Sequence, residues 1–270
     1  MARRETANAT PSGARLIEYD ELGSTSAEAR RRFERGERGP LWILALQQTD
    51  GYGRRGRSWR QRPGDLAATF LSRAPGPRAR IGELSFVAAL SVYEALERVC
   101  DAARLSLKWP NDVLLDGGKV GGLLLELLED PAHPVISFGV GLNIKSKPPS
   151  SETPYPTARL EDAIDPSRKL PEPRDIMTAI DGHFLNLCAL WVKQGFSPIR
   201  EAWLARAHGV GSELVVNAPQ GTLTGSFEGI DGTGRLILNR PTGEVVRIDA
   251  GDVMFAGRDG ASPEPAEEEA

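Results

Sequence analysis

LSLKWPNDVLLDGGKVGGLLLELLEDPAHPVISFGVGLNI, residues 105–144, alternates four apolar runs with short turn segments. Each run has the length of a strand, and Gly, Asp and Pro, which favour turns, separate the runs. The Asp-Gly-Gly step at 116–118 is typical of a turn between two strands. The segment therefore predicts four strands, at 105–109, 112–116, 119–128 and 135–144.

The chain on the N-terminal side predicts a mixture of helices and strands. Thr25 and Glu28 have the spacing of a capping box, so we expect Thr25 to cap a helix that starts within STSAEARRRFER. The apolar run LWILALQQ and the alternating DLAATFLSRA predict two strands. Apolar residues at helical spacing over 81–100 predict a helix of about five turns. Together with 105–144, these elements predict an α+β domain with a mixed sheet.

The C-terminal side changes in character twice. After the Pro- and Ser-rich segment 145–157, helical patterns cover about 172–194 and 197–207, and only short strands follow Gly209. About 50 residues of short strands suffice for a small barrel. We therefore predict a flexible N-terminus at 1–15, an α+β domain at 16–208, a barrel at 209–257 and a disordered acidic tail at 258–270.

Composition limits the class of protein. The 270 residues carry a formal net charge of −4, and 40% of them are hydrophobic, as in ordinary globular proteins. The N-terminus lacks the apolar core of a signal peptide, and no apolar run approaches the roughly 20 residues of a spanning helix. We expect a cytoplasmic protein without membrane contact. Cys100 and Cys188 lie in apolar helical patterns and are expected to be buried reduced thiols.

Residues 51–59, GYGRRGRSW, interleave three glycines with three arginines and end at Trp59. Glycines let a backbone approach a ligand, and guanidinium groups bind phosphate oxygens, so the loop predicts a phosphate-bearing ligand. We expect residues 51–62 to be mobile until a ligand orders them. The glycines also match the dinucleotide-binding pattern, but the apolar helix of that motif does not follow. A solvated basic hairpin and a nucleic-acid site remain open alternatives, although the net negative charge disfavours the second.

Two further segments carry lysines next to turns. KWPNDVLL, 108–115, places Lys108 beside an Asn-Asp pair, and GGKVGGLLLE, 117–126, places Lys119 between glycines. Taken singly, Lys108 is an ordinary strand-end lysine and Lys119 an ordinary hairpin lysine. Their occurrence together with the arginine loop indicates an anionic ligand.

The order and spacing of the motifs resemble those of the biotin protein ligases, the biotin–acetyl-CoA-carboxylase ligase family. The motifs are STS, QQTDGYGRRGRSW, KWPNDVLL, GGKVGGLLLE and GVGLNI, and the resemblance covers roughly residues 16–257. It implies a catalytic domain with a mixed β-sheet flanked by helices, like that of class II aminoacyl-tRNA synthetases, and a small SH3-like C-terminal β-barrel. It also implies formation of biotinyl-5′-adenylate from biotin and ATP, followed by transfer of biotin to one lysine of a carboxyl-carrier domain.

The resemblance assigns roles to matching positions. Lys119 and Arg54 are the expected catalytic residues. The residues expected near biotin are Ser24, Thr25, Ser26, Gln48, Tyr52, Gly53, Arg54, Lys119, Gly121, Gly122 and Gly141. Those expected near ATP are Arg54, Arg57, Trp59, Lys108, Asn111, Asp112, Lys119 and Asn143, with Mg²⁺ bound alongside the nucleotide and no firm metal ligand in the protein. Ser26 and Tyr52 depart from the family, which has asparagine and usually arginine there.

The expected partners are biotin, ATP and a biotin carboxyl carrier domain, without DNA; a homodimer stays open. Family members that also repress transcription carry a DNA-binding domain ahead of the catalytic domain. Because the first motif here begins at Ser24, we expect a ligase without repressor function. Two alternatives remain: a lipoate or octanoyl ligase of the same fold, and a non-catalytic sensor of biotin or nucleotide. The arginine loop and the C-terminal strands favour biotin, and the intact Lys119 favours catalysis.

Overall fold

The computed structural model describes residues 3–7, 10–130, 133–153, 155–219 and 221–255. Within these residues the chain is α+β and forms two sheets. The strands of the larger sheet are β1 (Arg3–Thr6), β2 (Arg15–Leu22), β3 (Leu41–Gln48), β4 (Leu66–Arg73), β5 (Leu105–Lys108), β6 (Asp112–Leu115), β7 (Gly118–Leu128) and β8 (Val135–Leu142). Their order is β1-β2-β3-β4-β8-β7-β6-β5; β2 and β3 are parallel, and the other pairs are antiparallel.

Helices cover both faces of the larger sheet. They are α1 (Thr25–Glu34), α2 (Leu84–Leu96), α3 (Pro173–Gln194) and α4 (Ser197–Leu204). In β3, Ile43 belongs to the apolar cluster that includes Ala29 of α1, whereas Trp42 and Leu44 belong to the cluster that includes α2 and α3. Neighbouring strand residues point to opposite faces, so the continuous apolar run of β3 is explained by burial on both sides.

The first helix begins one residue earlier than the capping-box spacing predicts. Its N-cap is Ser24, whose side chain accepts a hydrogen bond from the backbone N–H of Ala27, so the prediction of Thr25 as the cap is wrong. Glu28 does not close a capping box. Its carboxylate accepts hydrogen bonds from the hydroxyl of Tyr19 and from Arg32, at 2.8 and 2.9 Å. Thr25 is thereby left free to turn its side chain toward the interior.

The smaller sheet is antiparallel throughout and lies at the C-terminal end. Its strands are β9 (Glu213–Ala218), β10 (Gly221–Ile230), β11 (Leu236–Asn239), β12 (Val245–Ile248) and β13 (Asp252–Phe255), in the order β12-β11-β10-β9-β13. The sheet packs against α2 and the β5–β6 connection. Trp109 donates its indole N–H to the carbonyl of Gly234 at 3.1 Å. Gly234 has φ +87°, and a Cβ there would lie 2.5 Å from the Phe86 ring, so this contact requires glycine.

The predicted strands and helices are confirmed, with three additional strands and with several elements shorter than predicted. Strands β1, β2 and β13 were not predicted, and β1 lies within the segment expected to be flexible, although its four residues are exposed. The regular helix α2 ends at Leu96, so Cys100 lies beyond it and is only half-buried, whereas Cys188 is buried in α3. Both cysteines are free thiols.

Burial raises the pKa of Cys100 to about 11 and that of Cys188 to about 12, which disfavours the reactive thiolate. The predicted tail, 258–270, lies outside the described residues. In the part of the chain that the structure describes, no helix is both long and apolar enough to cross a membrane.

Candidate functional site

A cavity of about 540 Å³ lies between the larger sheet, the arginine loop (residues 51–62) and β13 of the smaller sheet. Its floor comes from β4, β7 and β8, and its sides come from the start of α1, the end of β3 and the β5–β6 turn. The lining residues are Thr25, Ser26, Gln48, Tyr52, Gly53, Arg54, Arg57, Ser58, Trp59, Ala67, Ala68, Lys108, Trp109, Pro110, Asn111, Asp112, Lys119, Gly122, Leu123, Leu124, Gly139, Val140, Gly141, Glu152, Thr153, Tyr155, Asn217, Asp252, Val253 and Met254.

Bare backbone forms part of the floor. At Gly141 a Cβ would lie 2.3 Å from Cε2 of Trp59, and at Gly122 it would lie 3.2 Å from Cζ3 of the same indole. Carbon atoms in favourable contact are about 3.5–4.0 Å apart, so a side chain at Gly141 would displace the indole. The two glycines, which pair across β7 and β8, therefore let Trp59 lie flat against the sheet.

One end of the cavity carries uncharged hydrogen-bonding groups. Gln48 Oε1 accepts hydrogen bonds from the backbone N–H and the hydroxyl of Thr25, at 2.9 and 3.2 Å. The Thr69 hydroxyl donates to the Thr25 hydroxyl at 2.9 Å and lies 3.3 Å from that of Ser26. All four side chains are buried. Such a network fixes its members, so this end is preorganised for an uncharged polar ligand.

The other end carries two lysines, Lys108 and Lys119, beside one aromatic ring. Lys119 Nζ lies 2.7 Å from Asp112 Oδ1. The ring of Tyr155 lies 5.3 Å from Lys119 Nζ and 5.8 Å from Lys108 Nζ. Burial lowers the pKa of Lys119, but Asp112 and Tyr155 more than offset this, so the net pKa is raised. The lysine therefore stays protonated at neutral pH and can contact an anion.

A β-bulge explains how Lys119 reaches the cavity. Val113 pairs with Gly121 and Leu114 pairs with Lys119, which leaves Val120 as the extra residue of β7. A bulge of this kind re-aims the neighbouring side chains, and here Lys119 and Gly122 both line the cavity. Backbone hydrogen bonds from Lys119 N to Pro156 O, 2.8 Å, and from Ala158 N to Lys119 O, 2.9 Å, hold the lysine's backbone in place.

The arginine loop forms an irregular hairpin across the mouth of the cavity. Its base is closed by a hydrogen bond from Trp59 N to Gly51 O at 2.8 Å. Arg54 Nη1 donates to Asn111 Oδ1 at 3.2 Å, and burial lowers the pKa of Arg54, although Asp252 and Asp112 oppose the shift. Arg55 and Arg57 both contact Asp252. The structure thus gives the loop defined contacts on two sides, while its mobility stays a prediction.

Most of the predicted site residues lie around this one cavity, and three do not. The predicted residues in the lining are Thr25, Ser26, Gln48, Tyr52, Gly53, Arg54, Arg57, Trp59, Lys108, Asn111, Asp112, Lys119, Gly122 and Gly141. Ser24 caps α1, Gly121 is buried against Leu142, and Asn143 donates to the carbonyls of Lys119 and Ala158. These three residues support the lining without forming part of it.

Sequence reasoning missed Tyr155 and Asp252. Tyr155 comes from the Pro- and Ser-rich segment, which reads as an ordinary loop, and Asp252 comes from a short strand of the smaller sheet. No local motif marks either residue. Among the described residues, no group of three or more His, Cys, Asp or Glu side chains could hold a metal ion.

Comparison with known proteins places these features in one family. Residues 24–143 match the family model described as the biotin/lipoate A/B protein ligase family, and residues 210–255 match the biotin protein ligase C terminal domain. A Paracoccus denitrificans protein named biotin--[acetyl-CoA-carboxylase] ligase is 39% identical over 247 residues, 87% of this chain and 98% of the relative. A Mycobacterium tuberculosis protein of the same name is 30% identical over 87% of this chain and 86% of its own length.

A solved structure shares the fold. The biotin protein ligase from Aquifex aeolicus in complex with biotin and ATP superposes with a TM-score of 0.74 and 25% sequence identity. The match covers 88% of this chain and 97% of that chain.

Proposed function

The chain belongs to the biotin protein ligases of the biotin/lipoate A/B protein ligase family, and from this premise we propose the reaction that it catalyses. It joins biotin to ATP, giving biotinyl-5′-adenylate and pyrophosphate, and then transfers the biotinyl group to one lysine of the carboxyl-carrier domain of acetyl-CoA carboxylase. The observation that carries the proposal is a single cavity with an uncharged hydrogen-bonding end and a cationic end centred on Lys119.

The uncharged end suits the ureido ring of biotin. Thr25, Ser26 and Gln48 offer hydroxyl and amide groups to the ring's N–H and C=O groups. Buried hydrogen-bonding groups reject ligands that cannot pair with them, because unpaired polar groups are costly. Lipoate and octanoate lack the ureido group, so this end of the cavity supports biotin over those alternatives.

The cationic end suits adenylate formation. A biotin carboxylate oxygen attacks the α-phosphorus, the bond to the β-phosphate breaks, and pyrophosphate leaves with the electron pair. Two anions must approach each other in this step, so fixed cations that offset their repulsion stabilise the transition state. Lys119 and Arg54 supply those cations, and the raised pKa of Lys119 keeps its charge in place.

The nucleotide occupies the side of the cavity below the arginine loop. Arg57 and Lys108 line this side of the cavity and contact the phosphates of the nucleotide, and Trp59 packs against the adenine. Asn111 and Asp112 have the oxygen ligands that Mg²⁺ prefers. A Mg²⁺ ion that enters with a nucleotide is held mainly by phosphate oxygens and needs only one or two ligands from the protein. When bound, Mg²⁺ neutralises phosphate charge. Ser24 and Asn143 act indirectly, through the start of α1 and the backbone at Lys119.

In the second half-reaction, the neutral amine of the carrier lysine attacks the carbonyl carbon of the adenylate. The carbon–oxygen bond to AMP breaks, AMP leaves, and the amine loses a proton as the amide forms. The loop covers the mouth of the cavity, and exclusion of water there protects the mixed anhydride until the carrier arrives.

Transfer of biotin to a carrier domain tests the proposal. The protein is incubated with biotin, ATP, Mg²⁺ and a biotin carboxyl carrier domain, and the product is probed with streptavidin and weighed by mass spectrometry. The carrier should gain one biotinyl group, and a carrier with its acceptor lysine replaced by arginine should gain none. A parallel reaction with lipoate or octanoate should leave the carrier unchanged; modification by those acids alone would favour the lipoate-type ligase.

A further inference from the structure

A carboxylate of the smaller sheet contacts the arginine loop, which connects β3 and β4 of the larger sheet. Asp252, the first residue of β13, forms an ion pair with Arg55 Nη1 at 3.1 Å and a second, closer ion pair with Arg57 Nη2. The three residues meet at the rim of the cavity, where Arg57 and Asp252 belong to the lining. The contact therefore joins two parts of the chain that are distant in sequence at the entrance of the site.

Besides this contact, the loop is held by the hydrogen bond from Arg54 to Asn111 and by an ion pair between Arg60 and Glu152, neither of which involves Arg55 or Arg57. Arg55, Arg57 and their neighbour Arg54 bear like charges on a backbone that contains Gly53 and Gly56. The side chains of Arg55 and Arg57 are 58% and 49% exposed, so apolar packing holds them only weakly. Asp252, at 28% exposed, is the common anion between them. Without it, the mutual repulsion of the guanidinium groups would favour an open loop.

We propose that Asp252 is a positioning residue that holds the arginine loop across the mouth of the cavity before ATP binds. It acts through Arg55 and Arg57 and makes no contact with the reacting atoms. When the nucleotide enters, its phosphates attract Arg57, while Arg55 keeps the loop attached to β13. The smaller sheet thereby contributes to nucleotide affinity. This second part rests on the proposed ligase function, whereas the first part concerns the ligand-free protein alone.

Limited trypsin digestion of the ligand-free protein tests the first part. Asp252→Asn should accelerate cleavage after Arg55 and Arg57 by about three- to tenfold, since partly exposed ion pairs are individually weak but two share this carboxylate. Asp252→Glu should stay close to wild type. Asp249→Asn, a matched change at an exposed residue just before β13, should cleave at the wild-type rate. Fragments are identified by mass spectrometry, and thermal midpoints are measured for every variant.

Two outcomes would overturn the proposal. One is loop cleavage of Asp252→Asn at the wild-type rate. The other is faster cleavage at Lys108 and Lys193, within the folded elements, by the same factor, which would make Asp252 a support of the whole fold.

Steady-state kinetics test the second part. Asp252→Asn should raise KM for ATP by about three- to tenfold with kcat changed less than about twofold, because bound nucleotide draws the loop, including Arg54, back over the cavity at a cost in affinity. Asp252→Glu should restore most of the wild-type KM. A fall in kcat at unchanged KM would contradict the role in nucleotide affinity. If wild type shows no ligase activity, the proposed function fails, while the digestion result still decides the role of Asp252 in the loop.

Discussion

Replacing Gly141 with alanine should impair adenylate formation by displacing the indole of Trp59. The backbone of Gly141 lies outside the left-handed region, so alanine fits the strand itself. Its Cβ, however, would lie 2.3, 2.4 and 2.6 Å from three indole atoms. Contact between carbons requires about 3.5 Å, so the indole must retreat by roughly 1.2 Å. A misplacement of about 1 Å in a positioning group costs up to about 100-fold in rate, so we expect kcat/KM for ATP to fall about 10- to 100-fold.

A graded series of glycine variants makes the test specific. At Gly122 an added Cβ would meet Trp59 and Lys119 at 3.2 Å, so Gly122→Ala should cost less than Gly141→Ala. At Gly23 it would meet nothing within 4 Å, so Gly23→Ala should resemble wild type. The assay is biotin-dependent pyrophosphate release at varied ATP. The thermal midpoint should change little, since one half-buried indole contributes at most about 2 kcal/mol.

A double-mutant cycle shows whether Trp59 is the cause. If the clash with the indole explains the defect, Gly141→Ala should cost almost nothing in a Trp59→Ala background, because the two changes remove the same contact. Activity of Gly141→Ala within about twofold of wild type would refute the reasoning, because adenylate formation would then not depend on the position of the Trp59 indole against Gly141. Equal losses from Gly141→Ala in both backgrounds would refute it as well.

Three further predictions concern the cation, a turn of the smaller sheet and the loop. Lys119→Met should lower pyrophosphate release on the order of 100-fold or more with the circular dichroism spectrum retained, since a fixed cation contributes where charge develops; near-normal release would contradict its role.

Burial raises the pKa of Asp231, but hydrogen bonds from Thr233 and Arg235 outweigh this effect and lower the pKa to about 2. The stabilisation of the folded state by ionised Asp231 is therefore complete above about pH 4 and is lost as the pH falls toward 2. Asp231→Asn should therefore cost about 1–2 kcal/mol in urea unfolding at pH 7 and less below pH 4; a pH-independent deficit would count against this. Trypsin cleavage within 51–62 should slow from ligand-free protein to biotin to biotin with ATP and Mg²⁺, and equal rates in all three would mean that ligands do not order the loop.

The sequence predicts most elements of this fold because their signals are local. Apolar runs bounded by Gly, Asp and Pro identify the strands from β3 to β8 and from β9 to β12, and helical periodicity identifies α2 to α4. Strand β1 lacks such a signal, since its residues RRET are all exposed and only pairing with β2 defines it. The cap of α1 was misplaced because Ser24, Thr25 and Ser26 can all cap a helix. The buried carboxylate of Glu28 accepts hydrogen bonds from Tyr19 and Arg32, so it does not take part in a capping box.

The residues of the candidate site likewise fall into those that the sequence predicts and those that it does not. Lys119, Arg54 and Gly141 lie in motifs that match those of the biotin protein ligases, and the cavity brings them together. Tyr155 and Asp252 could not be predicted, because their positions depend on how a loop and a second sheet pack against the cavity. Such contacts between distant segments leave no periodic pattern in the sequence.

Exchange of labelled pyrophosphate into ATP tests the central claim most directly, because it measures adenylate formation in the cavity without a carrier protein. The account predicts exchange that requires biotin and Mg²⁺, is not supported by lipoate or octanoate, and falls by about 100-fold or more in Lys119→Met. Exchange that proceeds equally without biotin, or that lipoate supports as well as biotin does, would contradict it.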